Sequence, residues 1–407
     1  MSNITTSNTT SLYKTHISNP STNPSSTPES SRAKPHHLKD GKGFTNPWDS
    51  WVEKSAPGVV LSMMKAKLTG NLPTPDTTPP TVPVQTPTFL PMRHSSSPSP
   101  SPSPSALRAT WLGHACYYLE YATGLRVLFD PVFEERCSPL PFFGPKRYTA
   151  APCAIADLPF VDLVIISHSH YDHLSQPTIT EIHARHPRAH FLVGLGLKRW
   201  FRECGIENVV EMDWWQDVHV TLSPEVEGSE GAKTPASPPI TARISCLPSQ
   251  HSSGRSALDR SQTLWCSWSV QSGGKSVWFG GDTGYRAVPA VPKGTDDYGE
   301  AFAHLPVCPA FREIGEWRGP FDLGLIPIGA YEPRPLFSPL HSSPPDSVNI
   351  FLDTRCRRAM AIHWGTWVLT SEAVLEPPRL LRRALASKGL PETGVFDVCE
   401  IGEGREF

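Results

Sequence analysis

Four side chains of the types that bind metal ions lie within six residues, in the pattern His-x-His-x-Asp-His over residues 168–173. They are His168, His170, Asp172 and His173, and the apolar residues 163–166 come shortly before them. Imidazole nitrogens and carboxylate oxygens are ligands that Zn²⁺ and related ions take in proteins. Four such groups at the end of a buried strand would repel one another and lose hydration unless a cation held them. We therefore expect the first two histidines to converge on one ion while Asp172 and His173 turn toward a second.

Three further donors stand in equivalent places, each directly after a stretch predicted to be a buried strand. They are His251 after residues 243–248, Asp282 after residues 276–281, and His363 after residues 358–362. A single polar residue at a strand end is usually satisfied by its own neighbourhood. In this order, and together with the first motif, the seven residues predict a two-metal site.

The elements that must position these donors are short apolar runs that end abruptly in turn or polar residues. Runs of this kind are typical of buried strands. We predict strands over residues 125–129, 163–166, 244–247, 277–279, 323–328 and 359–362, and helices over residues 178–185, 197–204, 346–353 and 378–387. Strands that alternate with helices in this way indicate an α/β domain.

The N-terminal part of the chain differs from the rest in composition. Residues 1–40 are dominated by Ser, Thr, Asn and Pro. We expect a disordered tail because so little apolar surface cannot offset the entropy of ordering, and we interpret His36 and His37 as a solvated pair within it. Residues 41–70 predict an arm that packs against the main domain or, through its apolar residues 59–68, touches a membrane.

Two further segments are rich in Pro and Ser. Residues 71–106 end in alternating Ser and Pro, and they predict an extended, disordered linker. Residues 224–239 interrupt the α/β pattern and predict a surface insertion. Residues 107–407, which include this insertion, are the predicted catalytic domain.

Charge and cysteine usage exclude several classes of protein. Lys plus Arg number 37 against 39 Asp plus Glu, so we expect no nucleic-acid partner. No apolar run approaches the roughly 18 residues that a membrane-spanning helix needs.

Nine scattered cysteines and the lack of a secretory signal predict reduced thiols in an intracellular protein, cytoplasmic or peripherally bound to a membrane. The Ser- and Thr-rich N-terminus leaves mitochondrial targeting as a further possibility, although no Arg precedes Arg32.

The motifs resemble the metallo-β-lactamase superfamily, in which His-x-His-x-Asp-His is followed by His, Asp and His at strand ends. The similarity extends to one branch, the N-acylphosphatidylethanolamine-hydrolysing phospholipases D. The similar stretches are residues 44–48, 110–115, 130–133, 143–148, 167–174, 212–215, 248–251, 264–268, 281–285, 319–322, 326–334, 361–366 and 375–378. The resemblance implies a four-layer αββα sandwich with the metals at one edge of its sheets, preceded by the disordered tail and the Pro/Ser linker.

The resemblance also implies roles for individual residues. One Zn²⁺ would be held by His168, His170 and His251, and the other by Asp172, His173 and His363, with Asp282 as the bridge. A hydroxide bridging the two ions would attack phosphorus in N-acylphosphatidylethanolamine, giving phosphatidic acid and an N-acylethanolamine, so Asp172 and Asp282 take part in catalysis. His341 and Tyr171 match residues that contact the substrate, and His341 would protonate the leaving group or bind the phosphate. A phospholipid substrate implies peripheral membrane contact, and members of the family often form homodimers.

Other interpretations stay open at this point. A lactonase, or another phosphodiesterase acting on a small phosphorylated metabolite, would keep the fold and metals but need a small polar pocket. Diiron relatives carry Glu where this chain has His170, which disfavours iron. A non-catalytic scaffold would be favoured by the loss of a ligand, and all seven are present. The chain departs from the family at Ser252, where Trp is common, and at Ser343, where an acid is common, and these changes leave the exact substrate open.

Overall fold

The computed structural model describes residues 13–54, 58, 64, 73–90, 106–224, 238–256, 258–292 and 295–407 of the 407-residue chain. In chain order its strands are β1 (Tyr13–Ile17), β2 (Ser21–Thr22), β3 (Leu107–Gly113), β4 (Cys116–Tyr121), β5 (Arg126–Phe129), β6 (Leu163–Ile165), β7 (His190–Gly194), β8 (Val209–Met212), β9 (Gln216–Pro224), β10 (Ile240–Leu247), β11 (Ser267–Ser272), β12 (Lys275–Phe279), β13 (Phe321–Pro327), β14 (Cys356–Ile362), β15 (Phe396–Asp397) and β16 (Gly404–Glu406). Its helices are α1 (Glu29–Arg32), α2 (Gln176–Arg185), α3 (Lys198–Glu203), α4 (Ala310–Trp317), α5 (Arg334–Phe337), α6 (Pro344–Asp353) and α7 (Glu376–Ser387). Short 3₁₀ turns lie at Pro24–Ser26, Ile155–Asp157 and Glu300–Phe302.

The strands form two sheets. One has the order β1-β9-β10-β11-β12-β13-β14-β15, with β2 also paired to β9. The other has the order β16-β3-β4-β5-β6-β7-β8. Strands β12 to β15 in the first sheet and β5 to β8 in the second are parallel, and the remaining pairs are antiparallel. Parallel strands deliver their carboxyl ends to one edge, so polar loops gather at that edge of each sheet.

Side chains of the central strands alternate between two apolar layers. Leu163 and Ile165 of β6 belong to the layer between the sheets, whereas Val164 belongs to the layer beneath α2 and α3. Phe129 of β5 stacks on Phe279 of β12 with ring centroids 4.4 Å apart, so the sheets pack face to face. On the outer side of the larger sheet, α6 packs on β13 and β14 and is flanked by α4 and α7. The four-layer αββα sandwich is therefore confirmed.

The strands and helices that carry the site were predicted close to their observed positions. All six apolar runs are strands, with ends that differ by up to four residues from those predicted, and the four helical stretches are α2, α3, α6 and α7. Strands such as β6 are buried on both faces, which explains why they read as continuous apolar runs rather than as an alternating pattern.

The prediction of a disordered tail over residues 1–40 is wrong for residues 13–40. Strand β1 adds to the free edge of β9, from Tyr13 opposite Pro224 to Ile17 opposite Val220. An edge strand draws its order from backbone hydrogen bonds to its neighbour and needs few apolar side chains, which is why composition alone misled.

The segment that follows, residues 34–54, is called here the N-terminal strap, and its upstream end is anchored on Asp213. Lys34 Nζ, His36 Nε2 and His37 Nε2 lie 2.7, 2.8 and 3.0 Å from the two carboxylate oxygens. His36 is buried and stacks on Trp214 with ring centroids 4.1 Å apart. The two histidines are therefore not a solvated pair, because a buried carboxylate holds both of them.

The prediction of a disordered linker over residues 71–106 is wrong for residues 73–90. Val82 is buried, and Val84 forms a β-bridge with Ile401. Further along, the Leu90 amide donates to Glu120 Oε1 at 2.8 Å. Proline keeps this segment extended, and an extended segment can satisfy its backbone against a neighbouring strand as readily as against water.

Several predictions fall on residues outside the described part of the chain. These are the structure of residues 1–12, most of the apolar stretch 59–68, residues 91–105 of the linker, and residues 225–237 of the insertion. Within the described residues, no helix is both long and apolar enough to cross a membrane. The nine cysteines all lie in described segments, and each carries a free thiol.

Candidate metal centre

The first three predicted histidine ligands converge at the edge where β6 and β10 end. His168 Nε2 lies 2.8 Å from His170 Nδ1, and His251 Nε2 lies 3.2 Å from the same atom. Two ligand atoms that each sit about 2.0–2.1 Å from one tetrahedral Zn²⁺ are about 3.3–3.4 Å apart. The three rings therefore direct nitrogens at one point, with His170 Nδ1 slightly closer to the other two than in a tetrahedral coordination shell.

The second predicted set meets beside the first. His173 Nε2 and His363 Nε2 both lie 3.3 Å from Asp172 Oδ2. His363 follows β14 directly, whereas the other two belong to the loop after β6. The two sheets thus each contribute to this set, and the ligands meet only when the sheets are packed together.

Asp282 lies between the two sets, as the predicted bridge should. Its Oδ2 is 3.2 Å from His173 Nε2 and 3.6 Å from His251 Nε2, while its Oδ1 is 3.0 Å from His363 Nε2. One carboxylate therefore faces nitrogens of both sets. The structure brings together all seven residues that the sequence predicted, which are His168, His170, Asp172, His173, His251, Asp282 and His363.

The donor atoms themselves fit a metal better than they fit one another. His173 Nε2, His363 Nε2 and Asp282 Oδ1 are buried and make no hydrogen bond within the described residues. Buried polar atoms without a partner are rare and costly. Imidazole nitrogens and a shared carboxylate are the ligand set of a binuclear zinc or related centre, so the residues present fit such a group.

Neighbouring groups fix which nitrogen of each ring faces the site. His173 Nδ1 donates to Asp130 Oδ2 at 2.6 Å, and His251 Nδ1 donates to the Leu340 carbonyl at 2.8 Å. His168 Nδ1 lies 2.8 Å from Ser167 Oγ. With Nδ1 engaged in each case, Nε2 is the nitrogen that faces the site, which is the usual arrangement around metal-binding histidines.

The ionisable groups at the site shift the pKa values of one another. Burial lowers the pKa of His168 well below that of an ordinary histidine, so this ring is neutral. Burial alone would raise the pKa of Asp282, but the charges of His173 and His363 hold it well below its usual range. Burial would lower the pKa of His363, yet Asp282 and Asp172 raise it to about 9. The ionised carboxylates therefore require adjacent positive charge, which protonated imidazole or a bound cation can supply.

His114 joins the second set, a role that was missed. It is buried, and its partner is one of the predicted ligands, since its Nε2 lies 3.0 Å from Asp172 Oδ2. Burial, then the charge of His363, lowers the pKa of His114 to about 3, so the neutral ring donates to the carboxylate. A polar residue directly after strand β3 is the same signal that identified His251 and Asp282, and it would have found this one.

The two predicted substrate residues occupy different places. The His341 ring lies 5.1 Å from that of His251 and 5.2 Å from that of His363, so it covers both sets, and its Nδ1 makes no hydrogen bond to any residue that the structure describes. Tyr171 instead lies under Arg255, whose guanidinium carbon is 3.9 Å from the centroid of the tyrosine ring. It lines a groove of about 610 Å³ together with Pro139, Pro141, Trp200 and Arg255.

The group formed by His36, His37 and Asp213 also has metal-ligand types at short range. Its carboxylate already accepts from both histidines, from the Lys34 ammonium and from the Trp214 amide. The Lys34 ammonium thus supplies the positive charge that a metal ion would bring to Asp213. This group is an anchor for the strap.

Comparison with known proteins agrees with the geometry. A family model described as "Beta-lactamase superfamily domain" matches residues 125–296 and 295–364. The N-acyl-phosphatidylethanolamine-hydrolyzing phospholipase D 1 of Caenorhabditis elegans is 33% identical over 398 residues, covering 95% of this chain and 98% of that protein. The mitochondrial N-acyl-phosphatidylethanolamine-hydrolyzing phospholipase D of Saccharomyces cerevisiae is 33% identical over 304 residues, covering 73% of this chain and 55% of that protein. Among solved structures, the metallo hydrolase Igni18 of Ignicoccus hospitalis aligns with a TM-score of 0.47 at 18% identity, over 74% of this chain and 99% of that chain.

Replacing Asp130 by Asn is expected to weaken metal binding while the seven ligands stay in place. The amide would turn an N–H toward His173 Nδ1 or lose the ionic hydrogen bond, and such outer contacts are worth about 10- to 100-fold in metal affinity. Zinc affinity is measured by competition with a chromophoric chelator, and Asp157→Asn, an exposed aspartate at a 3₁₀ turn, is the control. Unchanged affinity in Asp130→Asn would show that His173 does not depend on this contact.

Proposed function

The chain belongs to the beta-lactamase superfamily and, within it, to the family of N-acylphosphatidylethanolamine-hydrolysing phospholipases D, and we propose that it hydrolyses N-acylphosphatidylethanolamine to phosphatidic acid and an N-acylethanolamine with two zinc ions. It is a metal-dependent hydrolase by family. The observation that carries the finer proposal is the pair of donor sets joined by Asp282. Two donor sets that share one carboxylate suit the hydrolysis of a phosphodiester. In that reaction a hydroxide and the phosphodiester are both anions, and two metal ions would offset their repulsion.

Zinc is proposed for both positions because histidine nitrogens predominate in the ligand set. His168, His170 and His251 would hold one ion, Asp172, His173 and His363 the other, and Asp282 both. When bound, the two ions supply an activated water and offset the negative charge that develops at phosphorus. In the reaction a P–O bond forms from water, the P–O bond to the ethanolamide breaks, and the leaving oxygen takes up a proton.

His341 is the side chain best placed to act on the substrate. It lies over both donor sets, its Nδ1 is 3.8 Å from Asp282 Oδ2 and has no hydrogen-bond partner in the described part of the chain, and its side chain is 14% exposed. A ring in this position can donate a hydrogen bond to the phosphate or to the leaving oxygen. We therefore assign His341 to the phosphodiester, and we assign Tyr171 to the groove that it lines with Trp200 and Arg255.

Exposed apolar side chains close to that groove favour a lipid substrate. Phe142 and Phe143 are 76% and 71% exposed beside the lining residues Pro139 and Pro141, and Leu258, close to Arg255, is 88% exposed. Large apolar side chains left in water at the mouth of a groove gain free energy by entering an apolar phase. We propose that these residues touch the membrane when the enzyme takes its substrate, a peripheral contact without a spanning helix.

The reaction itself is tested by mass spectrometry of the products. Purified protein incubated with N-acylphosphatidylethanolamine should yield phosphatidic acid and N-acylethanolamine in equal amounts. A strong chelator should abolish both products, and added zinc should restore them. Asp282→Asn is the inactive control. Intact lipid after incubation with protein that carries two zinc ions would reject this substrate, and a small phosphodiester or a lactone would then be tried.

His341→Gln is expected to lower kcat by about 100-fold or more, because a group that hydrogen-bonds the reacting atoms acts in the transition state. Metal content should be unchanged, since His341 is not among the ligands. Steady-state kinetics and elemental analysis measure the two quantities, with His304→Gln, an exposed histidine, as the matched control. A kcat within about threefold of wild type would remove His341 from the reaction.

Replacing both Phe142 and Phe143 by Ser is expected to reduce binding to phospholipid vesicles by about tenfold or more, because two large apolar side chains no longer enter the bilayer. Co-sedimentation with vesicles measures the bound fraction, and the melting temperature checks the fold. Leu352→Ser on α6, a half-exposed leucine on a helix of the outer layer, is the control. Equal binding by all three proteins would contradict this contact surface.

A further inference from the structure

The loop that carries His251 has little regular structure of its own. Strand β10 ends at Leu247, and the residues that follow, up to the next strand β11, include no strand or helix among those described. A buried backbone without a strand partner must still satisfy its N–H and C=O groups. The question is therefore which part of the chain holds this loop in place.

The N-terminal strap supplies those partners. Asn46 Nδ2 donates to the His251 carbonyl at 2.7 Å, and the His251 amide donates to Asn46 Oδ1 at 3.2 Å. Both backbone groups of the ligand residue are thus bonded to one side chain that lies 205 residues away in the sequence. Asn46 is buried, so water cannot replace it easily.

A second contact fixes the preceding residue. Ser50 Oγ lies 2.5 Å from Gln250 Oε1, and Gln250 Nε2 donates to the Pro339 carbonyl at 3.0 Å. Gln250 also receives the Gly284 amide on its carbonyl at 2.7 Å. Gly284 follows Asp282 by two residues, so Gln250 connects the strap to the backbone near Asp282, while the strap itself contacts Gln250 and His251.

The strap is held at both ends, so its position is defined. Upstream, Asp213 binds Lys34, His36 and His37. Downstream, Arg260 Nη1 donates to the Lys54 carbonyl at 2.7 Å. Between these anchors Gly43 passes so close to the Ser261 carbonyl that a Cβ would lie 2.4 Å from its oxygen, which requires glycine there.

We infer that Asn46 is a positioning residue of the metal centre, and that the N-terminal strap is part of the hydrolase rather than an appendage to it. The inference rests on the proposed two-ion site, and it adds a requirement that lies outside residues 125–364, the part that the family model matches. Asn46 acts through the His251 backbone. Its loss should therefore affect the ion held by His168, His170 and His251 more than the ion held by Asp172, His173 and His363.

The test compares full-length Asn46→Ala with wild type and with Asn19→Ala, which removes an exposed asparagine upstream of the strap. Zinc is titrated into metal-free protein against a chromophoric chelator. Asn46→Ala should bind one ion with an affinity near that of wild type and the other about 10- to 100-fold more weakly. The kcat should fall while KM for the lipid changes little, and Asn19→Ala should match wild type throughout.

Ser50→Ala keeps the test decisive if Asn46→Ala does not fold, since it removes the contact to Gln250 while leaving Asn46 on His251, and it should weaken binding of the same ion to a smaller extent. Wild-type affinity for both ions in the variants that fold would overturn the inference. So would equal weakening of both ions together with a lower melting temperature of the metal-free protein, which marks a general structural role. Zinc titration does not depend on the substrate, so failure of the lipid reaction alone would count against the proposed function and leave this inference standing.

Discussion

The rest of the structure depends on the need to hold the buried carboxylate of Asp282 and the partly buried carboxylate of Asp172 among the five histidines predicted as ligands. Charges and dipoles of this density cannot persist in a protein interior unless cations neutralise them. The protein places the group where two sheets meet, so that donors from distant parts of the chain reach one point. Packing of the sheets, through contacts such as Phe129 on Phe279, is therefore a condition for the metal centre and not only for the fold.

Around these ligands lies a layer of contacts whose purpose is orientation. Asp130 and the Leu340 carbonyl choose the nitrogen that His173 and His251 present, and His114 holds Asp172 from the side. Such contacts come from strand ends, loops and the N-terminal strap alike. The centre is consequently more widely distributed along the chain than its ligands suggest.

The sequence was sufficient for the central strands, the outer helices and the convergence of the seven residues predicted as ligands, because apolar runs that end in His or Asp leave a clear pattern. It was insufficient where order depends on partners far away in the chain. Strand β1 is stabilised by the edge of β9, and His36 by Asp213, which lies 177 residues further on. Composition measures only how much apolar surface a segment can bury. It contains no information about an unpaired strand edge or a buried carboxylate elsewhere, so the tail and the linker were both judged disordered.

The central claim is that two ions sit on either side of Asp282. Crystals of the zinc-loaded protein, measured on both sides of the zinc absorption edge, test it most directly. The account predicts two anomalous peaks about 3.5–4 Å apart, one against His168, His170 and His251 and the other against Asp172, His173 and His363, with the Asp282 carboxylate between them. A single peak, or peaks away from these side chains, would contradict it.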